Sequence, residues 1–381
     1  MKKTLLAMAL SAAVAPAAFA QTNVTLYGIV DAGVEYARVS SGAAAPGISG
    51  AEGSAIRVSP GIQSGNRWGL RGTEDLGGGM RAIFTLEAGF NIDDGAFTTN
   101  GGGGSAGFGR RSFVGLEGGF GQVFLGRDYT PGFWVALNSD RMQFGMYGNA
   151  ATLTQIVPTN NTRTGSALFY VSPKFGGLTI RAALGAGQES FGNDAGPNYR
   201  GQSLGRFAGV AAEYAQGPLY VGAAFQTQRV ARPTLTSLSN DDDSRFWIVG
   251  ASYNFGAFGI NAGFSRNDPA GATAGVPAGV ATAETTGYWV GAGVKLGAGD
   301  LLAQVGRVRA DLAAGQDPRA NVWGVAYTHP LSRRTNAYVA YGTVRNNGAG
   351  TFGLDTASYA VGSGARGSDP TAFAVGVRHT F

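Results

Sequence analysis

The sequence lacks cysteine and has only two histidines among its 381 residues. Disulfides and thiolate metal sites are therefore excluded. Charged residues make up 14% of the chain, which is too little for a disordered protein. The 64 glycines and 14 prolines also stay below the level of a low-complexity chain. The composition therefore predicts a folded protein without covalent cross-links.

Long apolar runs are also missing from most of the chain. Near the start, two lysines precede an apolar segment at 5–14, and a small-residue cleavage site ends at Ala20. We therefore expect residues 1–20 to be a signal peptide and Gln21 to start the mature chain, with the net charge falling from +5 to +3 as two lysines are lost. No later stretch approaches the eighteen apolar residues of a transmembrane helix. An exported chain of this kind can cross a membrane only as a closed β-barrel.

The last eleven residues alternate strictly in character. Phe373, Val375, Val377 and Phe381 share one face of a strand, while Arg378 falls on the other. This pattern is typical of a strand that meets lipid on one side and water on the other. A single strand of this kind would also fit a soluble β-sandwich, so the rest of the chain must decide.

Similar alternation recurs along the chain and predicts about sixteen strands, an even number as bacterial barrels require. The predicted strands are 24–39, 64–74, 80–92, 110–117, 121–128, 163–172, 178–187, 203–214, 219–229, 244–255, 258–268, 285–296, 300–309, 320–328, 334–346 and 371–381. Short glycine-rich turns alternate with long polar loops near 40–63, 93–109, 129–162, 188–202, 230–243, 269–284, 310–319 and 347–370. Short turns at one rim and long loops at the other indicate an all-β, antiparallel transmembrane barrel over 21–381, with periplasmic turns and extracellular loops.

The charged side chains of these strands share the face opposite to the apolar side chains. Those assigned to this face by period two are Asp31, Glu35, Arg67, Arg71, Arg81, Arg181 and Lys295. A charge on the lipid face at mid-bilayer costs about 2–4 kcal/mol, so the charged face must line the lumen. A lumen with several charges of both signs must hold water, which predicts a channel.

Six segments taken in order carry a family resemblance. They are VTLYGIVDAGVEY at 24–36, RWGLRGTEDLGGG at 67–79, SFVGL at 112–116, LGRDYTP at 125–131, LSRRT at 331–335 and VGVRHTF at 375–381. The mature chain resembles the general porins of Gram-negative bacteria, in the β-proteobacterial branch. The resemblance implies a homotrimeric outer-membrane barrel that passes small hydrophilic solutes and ions by passive diffusion, among lipid and lipopolysaccharide. It also implies that Phe381 is an assembly signal.

The same resemblance implies a constriction inside the barrel. The third long loop, residues 130–162, would fold into the lumen and present Asp140, with Gln143 where enteric relatives have a second acid. Arg67, Arg110 and Arg163 would face it from the wall. Period two places Arg67 in the lumen independently, and it sets Arg110 out of phase with Phe113, which we assign to lipid. We expect a modest anion preference.

Two alternatives to this constriction remain. The third long loop could pack on a neighbouring subunit or on another loop, and the arginines could extend to the rim or pair with acids.

The other features of the sequence argue against an enzyme. His329 and His379 sit at strand ends without a catalytic set. The run Asp241 to Asp243 could hold a hard cation, but a solvated loop is the simpler interpretation, and no cofactor or metal is predicted. A net charge of +3 argues against binding of nucleic acid.

Two alternatives to a general porin remain. They are a porin specific for a sugar or a carboxylate, and a structural or adhesive barrel.

Overall fold

The computed structural model describes residues 23–40, 52–98, 107–155, 162–187, 205–232, 240–268, 284–311, 317–362 and 366–381. The expected signal peptide and its cleavage site lie outside them. The strands are β1 (Asn23–Val39), β2 (Gly53–Pro60), β3 (Arg67–Gly77), β4 (Met80–Gly89), β5 (Arg111–Gly118), β6 (Gly121–Tyr129), β7 (Arg163–Val171), β8 (Leu178–Gly185), β9 (Phe207–Gln216), β10 (Leu219–Arg232), β11 (Asn240–Asn254), β12 (Phe258–Asp268), β13 (Glu284–Leu296), β14 (Gly299–Asp311), β15 (Arg319–Pro330), β16 (Thr335–Asn346), β17 (Leu354–Asp355), β18 (Ala360–Val361) and β19 (Pro370–Thr380). Two helices, α1 (Pro131–Asn138) and α2 (Ala150–Thr154), lie between β6 and β7. Neither is long enough to cross a bilayer.

One antiparallel sheet closes on itself to form the barrel. β1 pairs with β19 on one side. On its other side, residues 32–39 pair with β2 and residues 23–29 pair with β3. β2 and β3 are therefore two halves of one barrel strand, and the barrel has sixteen strand positions.

The prediction of a loop over 40–63 is wrong in its last part, because 53–60 form β2. Ile56 and Val58 point outward and are exposed, while Ser59 is buried. This alternation was present in the sequence, but the short segment is separated from β3 by an irregular stretch that contains Gly61 at φ +62°. Such a backbone angle favours glycine, and it interrupts the strand.

The seam between the first and last strands is closed as the C-terminal pattern predicts. Gly28 and Phe381 exchange two backbone hydrogen bonds of 3.1 Å. Phe373 and Val375 are exposed on the outer face, whereas Ala374 is fully buried. The last strand therefore has a lipid face and an inner face.

The backbone at the acidic run differs from the prediction. Asp241 to Asp243 lie in β11, where their backbone pairs with residues 229–231 of β10. The assignment of 230–243 to a loop is therefore wrong at both ends. Within the ranges given above, no cluster of three or more residues suits a metal ion.

The third long loop folds into the lumen and packs on the inner wall. α1 lies against β9, β10 and β11, and α2 lies against β12, β13 and β14. Val135 and Tyr147 of this loop are completely buried, so the alternative of packing on a neighbouring subunit is wrong. The alternative of packing on another loop is right in part, because Asn149 and Thr152 donate hydrogen bonds to Asp355 in the segment between β16 and β19.

Inward glycines make room for this loop. A Cβ atom at Gly287 would lie 1.8 Å from the carbonyl oxygen of Leu153, and one at Gly324 would lie 1.9 Å from that of Tyr147. Any side chain at these two wall positions would push the loop off the wall.

Local sequence explains where the two helices begin. Thr130 caps α1 by accepting a hydrogen bond from the backbone N–H of Phe133, and Pro131 occupies the first turn. Asn149 caps α2 through Ala151 in the same way.

Candidate functional site

Two cavities border the third long loop. The larger, of about 1250 Å³, lies between the loop and the wall made by β3 to β7. The smaller, of about 350 Å³, is lined by Arg141, Ser252 and Asn261 among others. Leu137 and Gln143 line both cavities. These two side chains therefore mark the place where the cavities meet.

The wall of the larger cavity carries five arginines. They are Arg67, Arg110, Arg111, Arg127 and Arg163. The structure thus brings the three sequence-predicted wall arginines into one cavity and adds two that sequence reasoning missed. A concentration of guanidinium groups in one cavity raises the local concentration of anions.

Tyr129 holds part of this wall in place. Its hydroxyl accepts hydrogen bonds from Arg110 at 2.7 Å and from Arg163 at 2.8 Å. The Arg163 guanidinium also lies 4.2 Å from the centre of the Tyr129 ring. Arg110 forms a buried ion pair of 2.8 Å with Glu87. Arg67, in contrast, makes no ion pair or hydrogen bond with the part of the chain described.

Arg111 was missed because the face of β5 was assigned one residue out of phase. Val114 is 62% exposed and points outward. Phe113 points inward, where its ring lies 4.4 Å from that of Phe124, so its assignment to lipid is wrong. Arg111 shares its inner face and pairs with Asp128 through two hydrogen bonds of 2.7 and 2.8 Å. Arg110 lies just before β5 begins, so the alternation of faces along the strand does not apply to it, and its side chain lines the same cavity as that of Arg111.

The phase error has a physical cause. Phe113 belongs to an apolar cluster on the inner wall, with Phe124, Phe169 and Phe207. An inner wall can carry apolar side chains wherever they pack on each other, so an aromatic residue alone does not identify the lipid face. The spacing of Arg111 and Glu117 at period two was the signal that could have set the correct phase.

The side of the larger cavity that belongs to the third long loop is uncharged. It is formed by Phe133, Trp134, Leu137, Gln143 and Phe144. Phe133 stacks on Tyr129 at 4.4 Å between ring centres. Gln143 is exposed and adopts a φ of +54°, an uncommon angle for a residue other than glycine.

The structure places the Asp140 carboxylate inside the third long loop and not opposite the arginines. It accepts hydrogen bonds from the backbone N–H groups of Phe144 at 2.7 Å and Ala150 at 3.0 Å. The amide of Gln304 on β14 donates to it at 2.6 Å. No other acid occurs between 130 and 162. Asp140 therefore shapes the loop, and the loop offers the arginines no carboxylate.

Glu35 lies on the lumen side of β1 but is completely buried beneath two loops. Its carboxylate accepts hydrogen bonds from Arg57 at 2.6 Å and Ser59 at 2.9 Å of β2. It also accepts from Tyr147 of the third long loop at 2.5 Å and from Tyr359 of the last long loop, 347–369, at 2.7 Å. Glu35 thus ties both loops to the wall.

Asp31 has a similar place on β1. It is fully buried and accepts a hydrogen bond of 2.7 Å from the hydroxyl of Tyr338. The backbone N–H of Ser64 donates to its other oxygen at 2.5 Å. Asp31 therefore helps to fix the stretch between β2 and β3.

The remaining sequence-predicted lumen residues line neither of the two cavities. Arg71 lies over the ring of Tyr27 at 5.2 Å. Arg181 pairs with Glu213 at 2.5 Å.

Arg81 and Lys295 lie near the short turns, where Arg81 pairs with Glu117 and Lys295 pairs with Asp300 at 2.7 Å. Their charges are therefore largely compensated.

Comparison with known proteins decides the family. A model of the Gram-negative porin family matches residues 6–349. The chain belongs to this family.

Two curated relatives extend over the whole porin. Outer membrane porin protein 32 of Delftia acidovorans is 32% identical over 391 residues and covers 100% of both chains. An outer membrane porin protein of Bordetella pertussis is 30% identical over 410 residues, again with 100% of both chains covered. The protein is therefore an outer-membrane porin of a Gram-negative bacterium and not an enzyme.

Solved structures agree with the barrel. The anion-selective porin from Comamonas acidovorans has a TM-score of 0.75 and 29% identity, and the match covers 95% of this porin and 100% of that chain. OmpF of Salmonella typhi has a TM-score of 0.63 at 17% identity over 94% of this porin. The second match shows the fold alone.

A titratable carboxyl also borders the larger cavity of the porin. Asp355, in the last long loop, accepts a hydrogen bond of 2.6 Å from the hydroxyl of Thr152 in the third long loop. Burial raises the pKa of Asp355 to about 6, although the Thr152 hydroxyl acts in the opposite direction. The carboxyl is therefore ionised at pH 7.5 and neutral at pH 5.

This pKa predicts a pH-dependent selectivity. Between pH 7.5 and pH 5 the cavity loses the negative charge of Asp355, so the anion preference should rise as the pH falls through about 6. Asp355→Asn should show the low-pH selectivity at pH 7.5 and change little with pH. Reversal potentials in a salt gradient at both pH values measure this effect. If Asp355→Asn kept the full pH dependence, another titratable group would be responsible for it.

Proposed function

We propose that this porin is a water-filled channel for passive diffusion of small hydrophilic solutes and ions, with a preference for anions. The observation that carries the proposal is an arginine wall opposite a surface of the third long loop that has no carboxylate. Two unit charges at 4 Å interact by about 1 kcal/mol in water, so several arginines together favour anions without absolute selectivity. The anion-selective porin from Comamonas acidovorans, with 29% identity, supports the same sign.

Reversal potentials test this proposal directly. Purified protein is inserted into a planar lipid bilayer between unequal potassium chloride concentrations. The sign of the zero-current potential should show that chloride permeates faster than potassium. A potential of the opposite sign would refute the charge assignment, and a barrel without stepwise conductance would favour a structural or adhesive role.

Within the channel, we assign the constriction to Arg67, Arg110, Arg163 and Gln143, whereas Asp140 holds the loop from within. Gln143→Glu should lower the anion preference severalfold, because it adds a negative charge where the two cavities meet. Gln143→Leu, of similar size and uncharged, is the control and should change the reversal potential little. Equal potentials for the two variants would place Gln143 outside the ion path.

The mature chain, in this proposal, is residues 21–381, and Phe381 is its assembly signal. The backbone pairing of Phe381 with Gly28 at the barrel seam supports this role. Amino-terminal sequencing of the outer-membrane form would show a start other than Gln21 if the cleavage site is wrong. Phe381→Ala should reduce the folded fraction in the outer membrane, and unchanged assembly would reject the signal.

We infer a homotrimer, as is typical of the porin family. The outward side of β2 supports this inference, because Ile56 and Val58 are 75% and 57% exposed and continue the apolar outer face of Val34 on β1. Light scattering of the detergent-solubilised protein should give three times the mass of one chain. A monomeric mass that persists at high protein concentration would contradict it.

We also infer that lipopolysaccharide surrounds the barrel at its long-loop rim. Arg309 on β14 and Arg319 on β15 lie directly opposite each other, on the outer face of strands whose Val308 and Ala320 are buried inside. Arg309 is paired with Asp311 at 2.7 Å and with Asp317 at 2.9 Å, so Arg319, which has no ion pair among the described residues, is the charge that an anionic headgroup would neutralise. Arg319→Gln should reduce the lipopolysaccharide that copurifies, and an unchanged amount would exclude this contact.

A further inference from the structure

The loop surface that faces the arginine wall is apolar where a simple ion channel needs only water. Trp134 and Leu137 of α1 are partly exposed at the larger cavity, and the Arg181 guanidinium lies over one face of the Trp134 ring, 4.8 Å from its centre. Exposing apolar surface to water is unfavourable. Its position opposite the arginine wall of the larger cavity indicates that a permeating molecule covers it.

The opposite side offers a charged contact that is not used within the protein. Arg67 has no ion pair or hydrogen bond with the described residues, whereas Arg110 and Arg111 are paired with Glu87 and Asp128. A guanidinium without a carboxylate partner can bind a carboxylate through two parallel hydrogen bonds. Arg67 is therefore the position on the wall at which an anion gains most.

We propose that the constriction preferentially binds organic anions in which a carboxylate is attached to an apolar ring or chain. The carboxylate pairs with Arg67, and the apolar part lies against Trp134 and Leu137. This inference rests on the proposed anion-preferring channel and names the class of solute that the channel favours. The cavity of about 1250 Å³ accommodates such a molecule together with water.

Other solute classes fit this surface less well. An inorganic anion would use the arginines but leave the apolar loop surface in water. A cation would be repelled by the wall. A sugar needs several polar partners on both sides, and the loop residues named above offer only the amide of Gln143 and the indole N–H of Trp134. In this lumen, guanidinium groups on the wall face aromatic and aliphatic side chains on the third long loop.

Current block by matched solutes tests the proposal. Benzoate and acetate carry the same charge, so a comparison in planar bilayers at constant ionic strength isolates the apolar ring. Benzoate should reduce the single-channel conductance by half at a concentration about tenfold lower than acetate does. Benzyl alcohol and benzylammonium carry the ring without the negative charge and should not block in this range.

Three variants assign the block to the surface described. Leu137→Asn should weaken the block by benzoate about fivefold and leave that by acetate nearly unchanged, whereas Arg67→Gln should weaken both. If Leu137→Asn forms no channels, Trp134→Gln provides the same test. Phe120→Ala, at the periplasmic turn and outside both cavities, is the matched control and should behave like the unmodified protein.

The outcomes separate this inference from the proposed function. A reversal potential without anion preference in the unmodified protein overturns the channel proposal. A clear anion preference together with equal block by benzoate and acetate overturns only the inference about organic anions. Block by benzoate that persists unchanged in both loop variants would likewise overturn it, because the apolar contact would then lie elsewhere.

Discussion

Replacing Arg67 by glutamine is expected to lower the chloride-to-potassium permeability ratio by at least about fivefold. Arg67 faces the larger cavity and makes no ion pair with the described residues, whereas the neighbouring Arg110 is paired with Glu87, so the charge of Arg67 is the less compensated of the two. A unit charge at 4 Å is worth about 1 kcal/mol even in bulk water, which corresponds to roughly a fivefold change in an equilibrium. Loss of the positive charge makes chloride less favoured and potassium more favoured, so both changes lower the permeability ratio.

Arg81→Gln provides the matched control. Arg81 lies on the same inner face but near a short turn, and it is paired with Glu117. Its removal should change the ratio far less than that of Arg67. Reversal potentials of the two variants, measured in the same salt gradient, show whether the position of the charge matters. Equal effects would mean that selectivity arises from the net charge of the lumen and not from the arginine wall.

Replacing Glu35 by alanine is expected to destabilise the protein more than any other single change discussed, and to make the channel current noisy. The carboxylate is fully buried and accepts four hydrogen bonds, including one from each of two loops. Removing one partner of a buried, hydrogen-bonded ion pair costs about 3–5 kcal/mol, and the exposure of Arg57 reduces this toward the lower limit. The hydroxyls of Tyr147 and Tyr359 would lose their acceptor.

The consequence for function follows from the position of Tyr147. This residue packs the third long loop against Gly324 and Gly342 of the wall. Without Glu35 the loop should leave the wall intermittently, and single-channel recordings should show rapid transitions between conductance levels. Glu35→Gln keeps an acceptor oxygen and should have an intermediate effect.

Glu284→Gln is the control for this prediction. Glu284 pairs with Arg266 on the outer surface, and an exposed pair of this kind contributes only about 0–1 kcal/mol. The midpoint of urea unfolding should therefore fall strongly for Glu35→Ala and hardly at all for Glu284→Gln. A quiet channel of normal stability in Glu35→Ala would show that other contacts suffice to hold the third long loop.

The fold was largely predictable because the rule behind it is local. Each barrel strand must satisfy its backbone through its neighbours and present one face to hydrocarbon. Period two therefore placed Arg67 in the lumen and Val375 on the outer face without any knowledge of contacts. The errors occurred where this rule weakens: β2 is short and detached from β3, and Phe113 is apolar but points inward.

The candidate site was only partly predictable. Arg110 and Arg163 were named from the resemblance, and the structure brings both to Tyr129. Arg111 was missed by one residue in phase. Asp140 was expected to oppose the arginines, but its carboxylate is used by the backbone of its own loop. Sequence separation hides such contacts, because Asp140 meets Gln304 across 164 positions of the chain.

The sequence by itself determined the barrel, the order of its strands and which face of most strands meets lipid, since hydrocarbon accepts no charge and no unpaired backbone. Only the tertiary structure decided how the lumen is divided. The third long loop packs against the inner wall because glycines such as Gly287 and Gly324 admit its backbone. That packing buries Asp140 and Glu35 and leaves Trp134 and Leu137 opposite the arginines. Its reason is steric fit between distant segments, which no local pattern records.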